Sequence, residues 1–335
     1  MKAAVFDGVK VQIKDVPKPK PSENQVLIRV KACGICGTDI AIIQGHLTTP
    51  IPLILGHEFA GEVINVGSKV PVSWIGKHVT AEINTNTCGQ CYYCKNQIPT
   101  QCRERKALGL KINGAFAEYV VVDAHLLHEV PSSLSFIQAT FIEPLAAAYQ
   151  TFELMPLDQD DKTLAIFGMG KLGLLILQIA KSKGLEIITV GGSREKLALA
   201  KKLGAFLTIN RHSTKNLSQT IKNHTDGLGA DIVVDTTGDP QAMEQIIASC
   251  RSRGKLHIKS THGLPTPINL TELVVREITM YTSRCGPFEK AIQGLKNENI
   301  LINNLISKVY PLEKIEEAIT LQKKDTNNIK IILTM

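Results

Sequence analysis

Residues 163 to 173 read TLAIFGMGKLG, an apolar strand that runs into a glycine turn, and an apolar helical pattern over 174–183 follows directly. A glycine motif on its own carries little weight. Between a strand and a helix, however, GxGxxG places backbone N–H groups at a helix N-terminus, where the pyrophosphate of a dinucleotide can sit. Gly168, Gly170, Leu172 and Gly173 are therefore candidate cofactor contacts. Downstream, strand patterns at 186–190, 206–209, 231–235, 255–259 and 278–283 alternate with helical ones. With the first strand they make six, which predicts an α/β fold built on a doubly wound parallel sheet.

The end of the second strand, Val190-Gly191-Gly192-Ser193-Arg194, bears on which dinucleotide is taken. An NAD site normally carries an acid here to hold the adenine ribose, and an acid would repel a 2′-phosphate. Gly192 leaves room for that phosphate, and the Ser193 hydroxyl and Arg194 guanidinium can donate to its oxygens, so NADP is expected rather than NAD. A plainer reading also fits: Ser193 caps the next helix and Arg194 is merely exposed.

Before residue 150 the texture is one of short strands, as in 26–32, broken by turn residues Pro17, Pro19 and Pro21. His57 and Glu58 lie in LGHEFAGEVINVG (55–67), an imidazole and a carboxylate beside a glycine-punctuated strand, and both are good zinc ligands. Upstream, CGICGTD (33–39) offers the Cys36 thiol and Asp39, a carboxylate able to hold the second nitrogen of a ligating histidine. Cys33 and Cys36 could instead be a redox pair or small buried residues.

Residues 88–102, CGQCYYCKNQIPTQC, place Cys88, Cys91, Cys94 and Cys102 close enough for four thiolates to close a tetrahedral zinc site with no open position. Such a metal is structural, in a lobe with too few apolar residues to order itself. An iron–sulfur cluster and a zinc ribbon that touches nucleic acid are the competing readings. GAFAEY (114–119) resumes the strand pattern. FIEPLAAA (141–148) opens a helix with Pro144 in its first turn and Glu143 where the helix dipole favours a carboxylate.

Composition excludes several classes. A chain of 335 residues, 44% hydrophobic and 21% charged, is that of folded domains rather than disorder. The net charge of +7 is spread without a basic run, so nucleic acid is not an expected partner. The first apolar run breaks at Asp7, and the longest, 172–180, is too short to cross a bilayer. No membrane partner and a cytoplasmic location are expected, where clustered cysteines bind metal more often than they form disulfides.

In their order and approximate spacing, CGxCGTD, GHExxGxVxxVG, the four-cysteine lobe, GAFAEY, EPLAAA and GxGxxG make the chain resemble the zinc-dependent medium-chain dehydrogenases, the alcohol dehydrogenase superfamily. The resemblance implies a Rossmann domain, residues 147–284, inserted in a GroES-like, mostly β catalytic domain, residues 1–146 and 285–335. It implies two zinc ions per subunit, one catalytic and one structural. Cys36 and His57 match catalytic zinc ligands, and Glu143 matches the acidic third ligand of the polyol- and threonine-dehydrogenase-like branch. Glu58 matches a second carboxylate that binds the metal directly or lies behind it. Thr38 matches the hydroxyl that hydrogen-bonds the substrate oxygen, and Asp39 the partner of His57. Cys88, Cys91, Cys94 and Cys102 match the structural site, and GGSR (191–194) is similar to the GSR of NADP-dependent members.

The implied reaction is reversible hydride transfer between a secondary alcohol, polyol or sugar and the nicotinamide, in a homodimer or homotetramer. Three departures limit the transfer, of which one, Gln97 in place of the glycine often found after the third lobe cysteine, is a loop detail that leaves ligation untouched. Ala41 stands where many classical members carry a relay histidine, and the segment 281–288 does not match the best-known members, so the substrate is not carried over. A zinc-free quinone or enoyl reductase on the same fold would not need Cys36, His57 and Glu143 together with a full cysteine lobe. A zinc-ribbon nucleic-acid binder would need neither the nucleotide fold nor so dispersed a charge.

Overall fold

In the computed structural model, which describes residues 1–297 and 299–335, Lys2–Phe6 (β1) and Val11–Asp15 (β2) pair antiparallel, and Gly8 at φ 99° makes the turn between them. The chain divides into two compact units: Met1–Glu143 with Phe288–Glu298 and Ile302–Met335, and Pro144–Pro287 with Asn299–Leu301. In the first, Gln25–Gly34 (β3) buries Val26, Ile28, Val30 and Ala32 and leaves Arg29 exposed. After it come the helix Gly37–Ile43 (α1) and the strands Leu53–Ile54 (β4), Glu58–Val66 (β5) and His78–Ala81 (β6). Asn84–Thr85 (β7) and Lys106–Ala107 (β8) pair at the base of the cysteine lobe, which holds the short helix Tyr92–Lys95 (α2). Tyr119–Asp123 (β9), Leu127–Glu129 (β10), Phe136–Ala139 (α3) and Ile142–Leu154 (α4) follow.

The strand expected over 114–119 forms only from Tyr119 onward. Residues 114–116 donate instead to the carbonyls of Ile54, Gly56 and Leu55, at 2.7 to 2.9 Å. This close approach of two loops explains Gly56, at φ 90°, where any Cβ would run into the fully buried Phe116 ring.

The second unit is a six-stranded sheet. Its strands are Thr163–Phe167 (β11), Glu186–Gly191 (β12), Leu207–Asn210 (β13), Ala230–Asp235 (β14), Cys250–Ile258 (β15) and Thr279–Thr282 (β16). All pairs are parallel, in the order β13-β12-β11-β14-β15-β16. Leu164 to Phe167 are no more than 2% exposed, the continuous apolar run of a strand covered on both faces. Lys171–Ser182 (α5) buries Gly173 to Ala180, and Arg194–Leu203 (α6) follows β12. The order reverses between β11 and β14, which is where such folds take their ligand, outside the carboxyl ends of the strands.

The chain then returns to the first unit with Ile306–Pro311 (β17) and Lys330–Thr334 (β18). They complete a sheet ordered β10-β6-β5-β3-β18-β17, with β9 also paired to β3. The last residue of β3 is thus flanked on both sides: Gly34 lies opposite Glu58 of β5 and opposite Ile332 of β18. Among the described residues no helix is long and apolar enough to cross a membrane.

Candidate metal centre

The register of β3 against β5 decides what meets at the end of that sheet. Gly34 faces Glu58, so Cys36, two residues beyond the strand, arrives beside His57 and Glu58 at the start of β5. The Cys36 sulfur, a ring nitrogen of His57 and a carboxylate oxygen of Glu58 all lie within 4.8 Å of one another. His57 and Glu58 are buried, and Cys36 is partly exposed as the residue that caps α1. Thiolate, imidazole and carboxylate are the donor set that Zn²⁺ takes, and their close convergence fits it.

Asp39 holds this arrangement from behind. Its carboxylate accepts from Cys36 N at 2.8 Å and Gly56 N at 3.3 Å, which ties α1 to the turn carrying His57. Asp39 Oδ1 is 3.5 Å from His57 Nδ1, which makes no hydrogen bond although it is buried. Burial works against a proton on His57, but the charges of Asp39 and Cys36 outweigh it and raise its pKa well above the ordinary value. A cation bound here would take over that role. Thr38 places its hydroxyl 3.7 Å from the Cys36 sulfur.

Glu143 is in the first turn of α4, half-buried, and its carboxylate is not among the donors gathered within 4.8 Å. The carboxylate that does lie within that distance is that of Glu58, which the β3–β5 register brings there. Cys33 is fully buried, and burial pushes its thiol well above the ordinary value, so it packs as an apolar residue; neither it nor Cys36 is in a disulfide.

Lys330 belongs to the surroundings of this centre although no motif marked it. Its buried ammonium pairs with Glu58, donates to the Thr140 carbonyl at 3.2 Å and lies 4.9 Å from the Phe141 ring centroid. Gly34 is required beneath it, since a Cβ there would collide with the ammonium. A lysine opening an otherwise apolar strand, KIILT, is the only signal the sequence offers for it.

The second centre is the cysteine lobe. Sulfur separations are 3.6 Å for Cys91–Cys94 and Cys88–Cys102 and 4.0 Å for Cys88–Cys94. Four sulfurs at ~2.3 Å from one tetrahedral Zn²⁺ would stand about 3.8 Å apart. The backbone N–H groups of Cys88 and Cys91 donate to Cys102 and Cys88 sulfurs, as ligating thiolates require. The Cys88 N–H chiefly holds the Cys102 thiol down at about 6, while burial and the neighbouring sulfurs push Cys94 up to about 12. Without a cation the four cannot all ionise.

The glycine turn between β11 and α5 is shaped by its three glycines. Gly168 sits at φ 97°; Gly173 packs so tightly that a Cβ would strike the Gly168 carbonyl; Gly170 faces open space, the gap through which a pyrophosphate can approach the start of α5. Leu172 is half-buried in the first turn of that helix. At the end of β12, Ser193 caps α6 by accepting from Lys196 N at 3.1 Å and lies 3.0 Å from a Glu195 carboxylate oxygen, while Arg194 is exposed.

A glycine-turned parallel sheet in one unit, and in the other a thiol–imidazole–carboxylate centre with a separate thiol cage, are the working parts of a metal-dependent nicotinamide oxidoreductase. Residues 22–132 match the alcohol dehydrogenase GroES-like domain family and residues 172–297 the zinc-binding dehydrogenase family. The chain belongs to the zinc-dependent medium-chain dehydrogenase superfamily. It is 34% identical over 327 residues to D-arabitol-phosphate dehydrogenase of Enterococcus avium, covering 95% of this chain and 92% of that protein. It is 31% identical to sorbitol dehydrogenase of Halalkalibacterium halodurans, covering 96% and 95%. A zinc-binding dehydrogenase of Sinorhizobium meliloti, solved bound to NADP, superposes with a TM-score of 0.91 at 28% identity, covering 100% of this chain and 99% of that one.

Proposed function

We propose that this dehydrogenase oxidises and re-forms a secondary hydroxyl of a polyol, free or phosphorylated, or of a sugar, using NADP and two zinc ions per subunit. The observation that carries the reading is the convergence of Cys36, His57 and Glu58 beside the Thr38 hydroxyl. The names of two relatives, which specify an arabitol phosphate and sorbitol, support the substrate class. NADP is favoured by the GGSR turn and by the NADP-bound neighbour.

Zinc, when bound, supplies a Lewis acid that lowers the pKa of a hydroxyl. Cys36, His57 and Glu58 would hold it, with Glu143 the remaining candidate ligand. Asp39, 3.5 Å from His57 Nδ1, would take up its N–H when the ring holds the metal, and Lys330 balances the carboxylate of Glu58. Thr38, whose hydroxyl both accepts and donates, takes the substrate proton and passes it outward. Cys88, Cys91, Cys94 and Cys102 would hold the second ion, which orders their lobe.

The active assembly in this reading is a homodimer or homotetramer. The edge strand β16 leaves Met280 38% exposed, and the nearby helix Leu270–Val275 leaves Val274 and Val275 about three-quarters exposed. A second copy of the same edge would cover them.

The test is NADP and NAD reduction across secondary alcohols, polyols, polyol phosphates, aldoses and 3-hydroxy amino acids, with zinc content measured alongside. Cys36→Ser should lower turnover by about 10²-fold or more while NADP still binds. Undiminished turnover by a Cys36→Ser enzyme shown to lack zinc at this centre would refute the mechanism.

A further inference from the structure

We propose that Arg211 and His212 are the principal readers of the cofactor's adenosine 2′-phosphate, an inference that rests on the NADP reading above. Gly191 of β12 is in register with Asn210 of β13, and Arg211 N donates to the Gly191 carbonyl at 2.9 Å, so residues 211 and 212 leave the sheet alongside Gly192. Asn210 fixes the turn by accepting from His212 N at 2.9 Å. The consequence is visible at Gly192. A Cβ on it would stand 2.7 Å from His212 Nε2 and 3.1 Å from Arg211 Nε, so both basic side chains lie across the carboxyl end of β12. That is the position which faces the adenine ribose in folds of this class.

Of the residues first expected to bind the phosphate, Ser193 is less well placed to do so alone. Ser193 is engaged in capping α6, and the Glu195 carboxylate 3.0 Å from its hydroxyl disfavours an anion beside it. A second source of positive charge besides Arg194 would offset the Glu195 carboxylate there. Arg211 and His212 are both exposed, and the Arg211 pair with Asp239, at 3.4 Å between half-exposed groups, is a weak one. A guanidinium has five donors, and that contact occupies one Nη, so the others remain for phosphate oxygens. Histidine donates a ring N–H in either charge state. Gly192 is therefore small for two reasons: it admits the phosphate and lets the two side chains cross over it.

Calorimetric titration of the zinc-loaded enzyme with 2′,5′-ADP and with 5′-AMP isolates this contact from the nicotinamide. The wild type should favour 2′,5′-ADP by about ten-fold or more. Arg211→Gln and His212→Gln should each remove about five-fold or more of that preference and leave 5′-AMP affinity within about two-fold of the wild type. If both variants keep the full preference and Arg194→Gln abolishes it, the assignment to Arg211 and His212 is wrong while the NADP reading stands. Equal affinity of the wild type for the two probes would overturn the NADP reading itself.

Discussion

Lys330 has its charge almost entirely out of water, and the structure surrounds it with a carboxylate, a carbonyl and an aromatic face. Breaking a buried pair by removing one partner costs more than the pair contributes, because the survivor is left charged in a poor solvent. Lys330→Met should therefore lower the stability of the zinc-free protein by about 3–5 kcal/mol in urea denaturation. Lys330→Met combined with Glu58→Leu should recover most of that loss. If the single substitution costs under ~1 kcal/mol, the pair is not a structural determinant of this centre. At this scale the sequence is least informative. Cys36, His57 and the four lobe cysteines stand in motifs, whereas Lys330, Arg211 and His212 acquire their meaning only from a partner that the fold brings to them.

From the end of β11 into the first turn of α5 the three glycines have different reasons, and substitution separates them. Gly170 faces open space with an ordinary backbone, so Gly170→Ala should melt within a few degrees of the wild type yet bind NADPH about ten-fold more weakly, because the methyl occupies the gap meant for the pyrophosphate. Gly173→Ala forces a methyl against the Gly168 carbonyl and should cost about 1–3 kcal/mol of stability as well as affinity. Thermal melts and NADPH fluorescence titration of the two variants check this, and identical behaviour would count against it. Elements of this unit were legible because strand, turn and helix follow one another in sequence. The expected strand at 163–167 coincides with β11, and the six-strand count holds. Residues 114–118 were not legible as a loop, since a strand-like pattern there is overridden by contact with residues some sixty positions earlier, around Gly56.

At the scale of the whole molecule, the dimer or tetramer proposed above would cover the exposed Met280, Val274 and Val275 at the β16 edge. Met280→Lys places a charge on that edge and should shift the protein toward monomer in sedimentation at micromolar concentration. A wild type already monomeric there would remove the basis for a β16 interface. The first unit has a different property, which concerns how the protein is made. Glu58 is paired with a lysine 272 positions later in the chain. At a synthesis rate of ~5–20 residues per second, the thiol, imidazole and acid are translated roughly 14–54 s before their counter-cation. The neutralisation of Glu58 by Lys330 therefore waits for the last strand, and is completed only when β18 takes its place beside β3.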